Sequence, residues 1–254
     1  MDERIEKSLS KVPQVTLIFW VIKVLATTLG ETGGDALSMS MELGYLAATG
    51  IFAVIFVLAV SAQINAKRFA PSLYWLTIIA TTTLGTTLAD FADRSLGIGY
   101  AGGTTLLVVL LLASLLIWYR VTGSIAVTSV STPGTESFYW LTILFSQTLG
   151  TALGDWSADA AGWGLSYGAA AVLFGGVLAV IAAAYRWTAF SRTALFWAAF
   201  VLTRPLGAVV GDLLDKPLAE GGWALSRYAA SLGLVALIVA VLCLVPQKAA
   251  RKAH

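Results

Sequence analysis

The chain contains eight apolar stretches, each long enough to cross a lipid bilayer as an α-helix. A bilayer core about 30 Å thick needs roughly 20 apolar residues in a helix. Of the 254 residues, 58% are hydrophobic and only 12% are charged, about half the charged share of an average soluble domain. We therefore predict an all-α, polytopic membrane helix bundle that forms a single transmembrane domain over residues 1–254. The eight predicted spans lie near residues 15–37, 43–63, 73–93, 101–120, 138–158, 165–186, 193–214 and 224–246.

The basic residues predict the orientation of these spans. Eleven lie on the side that holds both termini, and only three, Arg94, Lys216 and Arg227, lie on the opposite side. Because Lys and Arg concentrate in cytoplasmic loops, we predict that both termini are cytoplasmic. Residues 1–14 then form a short cytoplasmic extension, for which an interfacial helix is one option. The eleven are Arg4, Lys7, Lys11, Lys67, Arg68, Arg120, Arg186, Arg192, Lys248, Arg251 and Lys252.

One motif occurs four times, which indicates an internal repeat of two helices. A Leu-Gly pair is followed by an Asp five residues after the glycine in every copy, and three copies carry a further glycine just before the Asp. The repeats cover approximately 15–66, 73–122, 138–188 and 193–246. The motif glycines are Gly30, Gly85, Gly150 and Gly207, with Gly34, Gly154 and Gly211 before the Asp.

Two helices per copy return the chain to the side from which it started. The four copies are therefore parallel, related by an axis along the membrane normal. We expect the motifs to lie at one depth around that axis, on the first helix of each copy. Each Asp lies about 7.5 Å beyond its glycine, toward the non-cytoplasmic face, at 1.5 Å per residue.

With this Leu-Gly and Gly-Asp pattern in four copies, the chain resembles a bacterial family of uncharacterised membrane-anchored proteins. The repeat of that family is known only as one of unknown function. The resemblance covers essentially the whole chain and implies a bacterial inner (plasma) membrane protein with eight spans. It supplies no substrate and no functional residues, so the function has to be inferred from the side chains.

Two carboxylates accompany each motif, three or four residues apart and so on one face of the helix. The motif acids are Asp35, Asp90, Asp155 and Asp212, and their partners are Glu31, Asp93, Asp159 and Asp215. The partners Asp93, Asp159 and Asp215 fall near predicted span ends, where caps or solvated loops would account for them. The motif acids and Glu31 lie inside the spans, where an ionised carboxylate costs about 2.5–3.5 kcal/mol or more.

We therefore predict that Glu31 and the four motif acids converge on one polar cavity that opens to the non-cytoplasmic side. Thr86, Thr151 and Gln147 are candidate further ligands, although threonine in a membrane helix often bonds its own backbone. Lys23 and Arg204, the two basic residues inside spans, are the expected charge partners of the acids, and snorkelling toward the cytoplasm is the alternative for Lys23.

An all-oxygen, negatively charged site suits a hard cation such as Mn²⁺, Mg²⁺ or Ca²⁺, bound as substrate rather than as a cofactor. The lone Cys243 and the lone His254 lie outside the motif, so we expect neither an enzyme nor a zinc or copper site. A net charge of +2 gives no case for nucleic acid. The interpretation is a cation transporter coupled to protons, resident in the lipid bilayer, with homo-oligomerisation left open.

Two alternatives remain at this point, a transporter of organic cations or amines and a non-transporting scaffold or sensor. Aromatic side chains could line a cavity for an organic cation through cation–π contacts, and Trp156, Trp163 and Trp223 are the candidates. Many of the other tryptophans and tyrosines lie at span ends, as expected of an interfacial belt. That belt comprises Tyr74, Trp75, Tyr139, Trp140, Trp118, Tyr119, Tyr185 and Trp187.

The orientation is testable with reporter fusions at Lys248 and in the loop that spans residues 216–220. Because eleven of the fourteen flanking basic residues lie on the side of the termini, we expect the two reporters to lie in opposite compartments, with Lys248 in the cytoplasm. The same compartment for both would contradict the count of eight spans.

Overall fold

The computed structural model describes residues 9–251, which form eight α-helices, two for each repeat. The predicted all-α bundle is thus confirmed. Short π-helical turns, Ala36–Ser40 and Phe91–Ser95, extend the first and third helices. The helices are α1 (Leu17–Asp35), α2 (Gly44–Asn65), α3 (Pro71–Asp90), α4 (Gly99–Thr122), α5 (Pro133–Ala158), α6 (Tyr167–Trp187), α7 (Arg192–Asp215) and α8 (Arg227–Leu244).

Hydroxyl caps and prolines determine where several of these helices begin. The side chain of Thr16 accepts a hydrogen bond from the Phe19 amide at the start of α1, and Ser166 and Ser191 cap α6 and α7 in the same way. Such caps satisfy the free amides of a first turn. Pro133 opens α5 just after its cap, a position where its missing amide costs nothing.

The first helix of every repeat lies inside the bundle and the second lies outside. The inner helices form a closed ring, in which α1 contacts α3, α3 contacts α5, α5 contacts α7, and α7 returns to α1. Each outer helix packs on the inner helix of the following repeat: α2 on α3, α4 on α5, α6 on α7 and α8 on α1. The four repeats therefore interlock around one central axis.

Six of the described helices are long and apolar enough to cross a membrane by length and composition, namely α1, α2, α4, α6, α7 and α8. The two that fall short, α3 and α5, are inner helices with many buried threonines. Because their neighbours in the ring shield them from lipid, they need no continuous apolar surface. Their polarity therefore follows from their place in the ring.

The motif glycine of each inner helix is a point of close approach by the next inner helix. The contacting side chain always lies three residues before the motif glycine of the next repeat. At Gly85 an added Cβ would lie 2.9 Å from the backbone nitrogen of Thr148. The contacts, in ring order, join Gly30 with Thr82, Gly85 with Gln147, Gly150 with Arg204, and Gly207 with Thr27.

We call the end of the bundle where the described chain starts and finishes the terminal side, and the opposite end the distal side. Near the terminal side, eight aromatic side chains form a closed layer across the inner ring. Ten residues before each motif glycine stands a tryptophan, preceded by a phenylalanine or tyrosine. This aromatic layer comprises Phe19, Trp20, Tyr74, Trp75, Tyr139, Trp140, Phe196 and Trp197.

The contacts of the aromatic layer run around the ring from each repeat to the next. Ring centroids lie 5.4 Å apart for Phe19 and Trp75, 5.6 Å for Tyr74 and Trp140, 6.2 Å for Tyr139 and Trp197, and 5.7 Å for Phe196 and Trp20. These distances are typical of stabilising aromatic pairs. The hydroxyls of Tyr74 and Tyr139 also share a hydrogen bond of 2.6 Å.

The prediction of an interfacial belt is therefore only partly right. Tyr119, Tyr185 and Trp187 are exposed, as belt residues would be. In contrast, Tyr74, Trp75, Tyr139, Trp140 and Trp118 are buried. The correction has a simple cause: position near a span end does not distinguish a lipid-facing side chain from one that faces the central axis.

A small antiparallel sheet closes the terminal side, formed by β1 (Leu9–Pro13) and β2 (Ala249–Arg251). Lys11 in β1 forms a 2.8 Å ion pair with the buried Glu136 of α5. An interfacial helix over the predicted extension is thus wrong for residues 9–13, which pair as a strand. The rest of that prediction, residues 1–8, lies outside the described residues, as do Lys252 and His254.

Substitution of Gly85 by alanine tests whether the glycine contacts close the inner ring. The added Cβ would meet backbone atoms of α5, which cannot move aside as a side chain could. We expect Gly85→Ala to destabilise the purified protein by about 1–3 kcal/mol, as overpacking does. The control is Gly176→Ala on α6, where a Cβ meets nothing within 4 Å. Equal thermal unfolding temperatures for the two variants would contradict the close approach.

Candidate functional site

The four motif aspartates lie at the distal end of the inner ring, one on each inner helix. All four are buried, with exposed fractions of 1% for Asp35, 2% for Asp90, 7% for Asp155 and 4% for Asp212. Each follows its glycine by the same five residues, so the helical repeat brings all four to an equivalent position. The result is a layer of four buried carboxylates around the axis.

Two basic side chains join these aspartates in pairs across the repeats. The guanidinium of Arg94 lies 3.2 Å from Asp90 on its own helical segment and 2.9 Å from Asp155 of the next repeat. The ammonium of Lys216 lies 3.1 Å from Asp212 and 2.8 Å from Asp35. Buried carboxylates commonly require such partners.

Arg94 and Lys216 occupy equivalent positions, nine residues after the motif glycines of repeats two and four. The corresponding residues of repeats one and three are Met39 and Asp159. The helix pair thus occurs four times, whereas a basic residue at this position occurs in only two of the four repeats. Burial alone would lower the pKa of Lys216, but Asp212 and Asp35 outweigh it and raise that pKa above its ordinary value.

The second acids of the motifs have varied surroundings. Asp215 pairs with Arg227 at 3.2 Å, and Arg227 also lies 3.7 Å from Asp35. The carboxylate of Asp159 accepts a hydrogen bond of 2.8 Å from the Ala161 amide, which is a local cap. Asp93 packs against Gly103 of α4. Of these three, only Asp215 joins the charge network of the motif acids directly.

Arg204 lies at the centre of the bundle and contacts each of the other three inner helices. Its Nη2 atom donates to Glu31 of α1 at 2.8 Å, to Thr86 of α3 at 2.6 Å and to Thr151 of α5 at 2.5 Å. Arg204 itself is on α7 and has no exposed surface. Its guanidinium therefore stands on the central axis, just to the terminal side of the aspartates.

Lys23 has different neighbours from those expected. Its ammonium lies 3.4 Å from the side-chain oxygen of Gln147 and 4.2 Å from the centre of the Phe200 ring. No ion pair joins it to a carboxylate within residues 9–251. The expectation that Lys23 neutralises an acid, or snorkels to the cytoplasm, is corrected accordingly, because its fully buried side chain crosses the bundle interior toward α5.

Glu31, Asp35 and Asp212 form the tightest group of acids. One carboxylate oxygen from each lies within 4.8 Å of the others, and all three residues are buried. Such spacing is compatible with a single cation held by oxygen ligands. Glu31 and Asp35 come from α1 and Asp212 from α7, so the group is created where the last repeat closes on the first.

A small cavity of about 100 Å³ opens beside the aspartates on the distal side. It touches Asp155 and Asp212 directly and is bordered by two tyrosines that begin outer helices. The tryptophans proposed as an organic-cation cage do not line it: Trp163 and Trp223 are largely exposed, and Trp156 stacks on Trp163. The lining residues are Arg94, Tyr100, Asp155, Ala158, Asp159, Tyr167, Asp212 and Lys216.

Sequence reasoning brought Arg204, Glu31, Thr86 and Thr151 to one site but missed the roles of Arg94 and Lys216. Both were counted only as loop charges that fix the orientation. Their equal spacing from the motif glycines, in alternate repeats, is the signal that distinguishes them from other loop residues. The repeated tryptophan of the aromatic layer is an equally regular signal.

Comparison with known protein families gives four matches to one repeat. The model described as Repeat of Unknown Function (DUF347) matches residues 18–69, 73–124, 138–191 and 195–245, which together make up most of the chain. The chain therefore belongs to this repeat family, as the motif pattern indicated. No curated protein and no solved structure matches the chain.

Replacing Arg204 tests the central ion pair. Arg204→Met would leave Glu31 buried without its cation, and we expect a loss of about 3–5 kcal/mol in the free energy of unfolding. Adding Glu31→Gln should recover part of that loss, since no charge then remains unpaired. Arg186→Met, at an exposed position of α6, serves as the control. Additive effects of the two central substitutions would show that the residues do not interact.

Proposed function

We propose that this protein is a membrane transporter that carries a hard cation through the centre of its four-repeat bundle, in exchange for protons. The observation that carries the proposal is the buried group of Glu31, Asp35 and Asp212, whose oxygens lie within 4.8 Å of one another. Three carboxylates this close in a low dielectric strongly favour binding of a cation or of protons.

The charges of the centre support a divalent ion. Six carboxylates, those of Glu31, the four motif aspartates and Asp215, face four cations, those of Arg94, Arg204, Lys216 and Arg227. With all groups ionised, the centre has an excess of two negative charges. One divalent cation or two protons would neutralise it, so the two ligands are natural competitors for the same site.

The ligand chemistry supports a hard ion rather than a soft one. The side chains near the three carboxylates offer oxygen atoms, as in the hydroxyl of Thr86, which lies 3.4 Å from Glu31. The described cysteine, Cys243, is exposed on α8 and far from the motif in sequence. Oxygen-only sites suit Mn²⁺, Mg²⁺ and Ca²⁺.

Entry of the cation requires Lys216 to leave two of the three carboxylates. Lysine is a single point charge on a flexible chain, so it can be displaced more easily than a bidentate arginine. Lys216 also lines the distal cavity, from which the ion would arrive. Under the orientation predicted from the basic residues, that cavity opens to the non-cytoplasmic side.

The terminal side of the axis is closed by the aromatic layer. Its members pack around the whole inner ring, and most of them are fully buried. Alternating access would therefore need these side chains to separate while the distal cavity closes. The close glycine contacts between inner helices give a surface along which such sliding motions can occur.

Binding is the first test of the proposal. Thermal unfolding of the purified protein, screened against Mn²⁺, Mg²⁺, Ca²⁺ and tetramethylammonium, should reveal stabilisation by at least one divalent ion. Asp35→Asn and Asp212→Asn should each weaken the binding of that ion by more than tenfold, since each removes one of three charged ligands. Glu220→Gln, in the exposed distal loop, is the matched control and should bind as the parent does.

Transport is tested in proteoliposomes that contain a pH-sensitive dye. A gradient of the bound ion should drive protons the other way, at about two per divalent ion by charge balance. Stabilisation by tetramethylammonium alone would favour the organic-cation alternative. If none of these ions binds, and if the aspartate variants unfold at the same temperature as the parent in every salt, a scaffold or sensor is the better interpretation.

A further inference from the structure

Between the aromatic layer and Arg204, the central axis contains a second polar layer that the cation site does not use. Lys23, seven residues before the first motif glycine, is the charged member of this layer. Its positional equivalents in the other repeats are Ile78, Ile143 and Phe200, all buried and apolar. The lysine is therefore a departure from the repeat at a place where every other copy has a hydrophobic side chain.

Buried polar groups on α5 and α7 include several donors without a partner. The side-chain nitrogen of Gln147, the hydroxyl of Ser146, and the Nε and Nη1 atoms of Arg204 are buried and have no hydrogen-bond partner among the described residues. All three side chains have no exposed surface. The Gln147 oxygen accepts from Lys23, so the donor that remains unpaired on this side chain is its nitrogen.

These groups lie within a short length of the axis. Lys23 precedes its motif glycine by seven residues, and Gln147 and Arg204 precede theirs by three. At 1.5 Å per residue, the two levels differ by about 6 Å. Lys23 reaches Gln147 on the diagonally opposite helix, so its side chain crosses the axis, as that of Arg204 does at the next level.

We propose that this layer is a binding site for a singly charged anionic group, held between Lys23 and Arg204. Two cations border it, and among residues 9–251 the one carboxylate that forms an ion pair with either of them is Glu31, which accepts from Nη2 of Arg204. A buried cation without a partner is strongly destabilising. An anion would neutralise Lys23 and accept from the unpaired donors of Gln147 and Arg204.

The walls of the site restrict the size and hydration of the anion. Phe200 covers the ammonium of Lys23 from one side, at 4.2 Å from the ring centre. The buried side chains of Ile78 and Ile143 complete an apolar floor above the aromatic layer. Such surroundings favour a weakly hydrated, singly charged group over phosphate or sulfate. A halide ion and the carboxylate of a small organic acid share this chemistry.

Thermal unfolding in different sodium salts at equal ionic strength is the test. Gluconate, too large for a helix-lined layer of this kind, is the reference anion. We expect chloride and bromide, or formate and acetate, to raise the unfolding temperature saturably, and the pair that does so distinguishes a halide site from a carboxylate site. Bromide should also give an anomalous diffraction peak beside the Lys23 ammonium.

Two substitutions tie the effect to this layer. Lys23→Met and Gln147→Leu should each weaken anion binding by at least tenfold, while Lys67→Met, at an exposed lysine, should not. Lys23→Met should also raise the unfolding temperature in gluconate, since it removes a buried charge. No difference among the salts, or the same anion response in Lys23→Met, would overturn the proposal.

This inference does not depend on the cation site. Asp212→Asn, which removes a ligand of the proposed cation, should leave the response to anions within twofold of the parent. Loss of the anion response in Lys23→Met with intact divalent binding would support the second site alone. Loss of divalent binding in Asp212→Asn with an intact anion response would support the first alone.

Discussion

The ion pair between Arg204 and Glu31 is the interaction on which the rest of the bundle depends. Arg204 belongs to the last repeat and Glu31 to the first, and their 2.8 Å contact joins the two ends of the inner ring. A guanidinium buried in a low dielectric must be neutralised and hydrogen-bonded. Since its other partners, Thr86 and Thr151, come from repeats two and three, the Nη2 atom of Arg204 has all three of its partners only when all four repeats surround it. The ring is therefore closed by an ion pair and hydrogen bonds as well as by helix packing.

The side chains along the central axis form successive layers that differ in charge and polarity. The aromatic layer excludes water from the terminal side, so charges beyond it cannot be solvated from there. Above it stand Lys23 and then Arg204, and the aspartates follow with Arg94 and Lys216 between them. The carboxylates lie among Arg204, Arg94 and Lys216, which limits the cost of burying them. Lys23 instead lies between Arg204 and the apolar floor, with no carboxylate paired to it among the described residues.

The sequence alone predicted the eight helices, their pairing into repeats and the common depth of the motif. These features depend only on the length of each apolar stretch and on the spacing of the motif along the chain. The sequence could not predict which charges meet, since this depends on the order of helices around the ring. Lys23 and Arg204 looked alike as basic residues inside spans, yet only Arg204 contacts an acid. Glu136 lies just outside the predicted span of residues 138–158, but it is buried and pairs with Lys11 of the β1 strand. Pairing across repeats is a property of the closed ring.

The fourfold backbone contains two related acid pairs, Asp90 with Asp155 and Asp212 with Asp35, and the cation that bridges each pair is held differently. Arg94 bridges Asp90 and Asp155 and also donates to the hydroxyls of Tyr45 and Tyr100, so four groups hold its planar guanidinium. Lys216 bridges Asp212 and Asp35 as a point charge. Near that pair the first repeat supplies Glu31, whereas the third repeat supplies the neutral Thr151 at the position equivalent to Glu31. Each pair has two carboxylates and one bridging cation, but Arg94 is held by four groups, whereas the Lys216 pair has a third carboxylate nearby and a cation that is easier to displace. The same loss of symmetry that closes the ring through Glu31 and Arg204 therefore also makes the two acid pairs unequal, and under the proposed function the Lys216 pair is the one that would take up the ion.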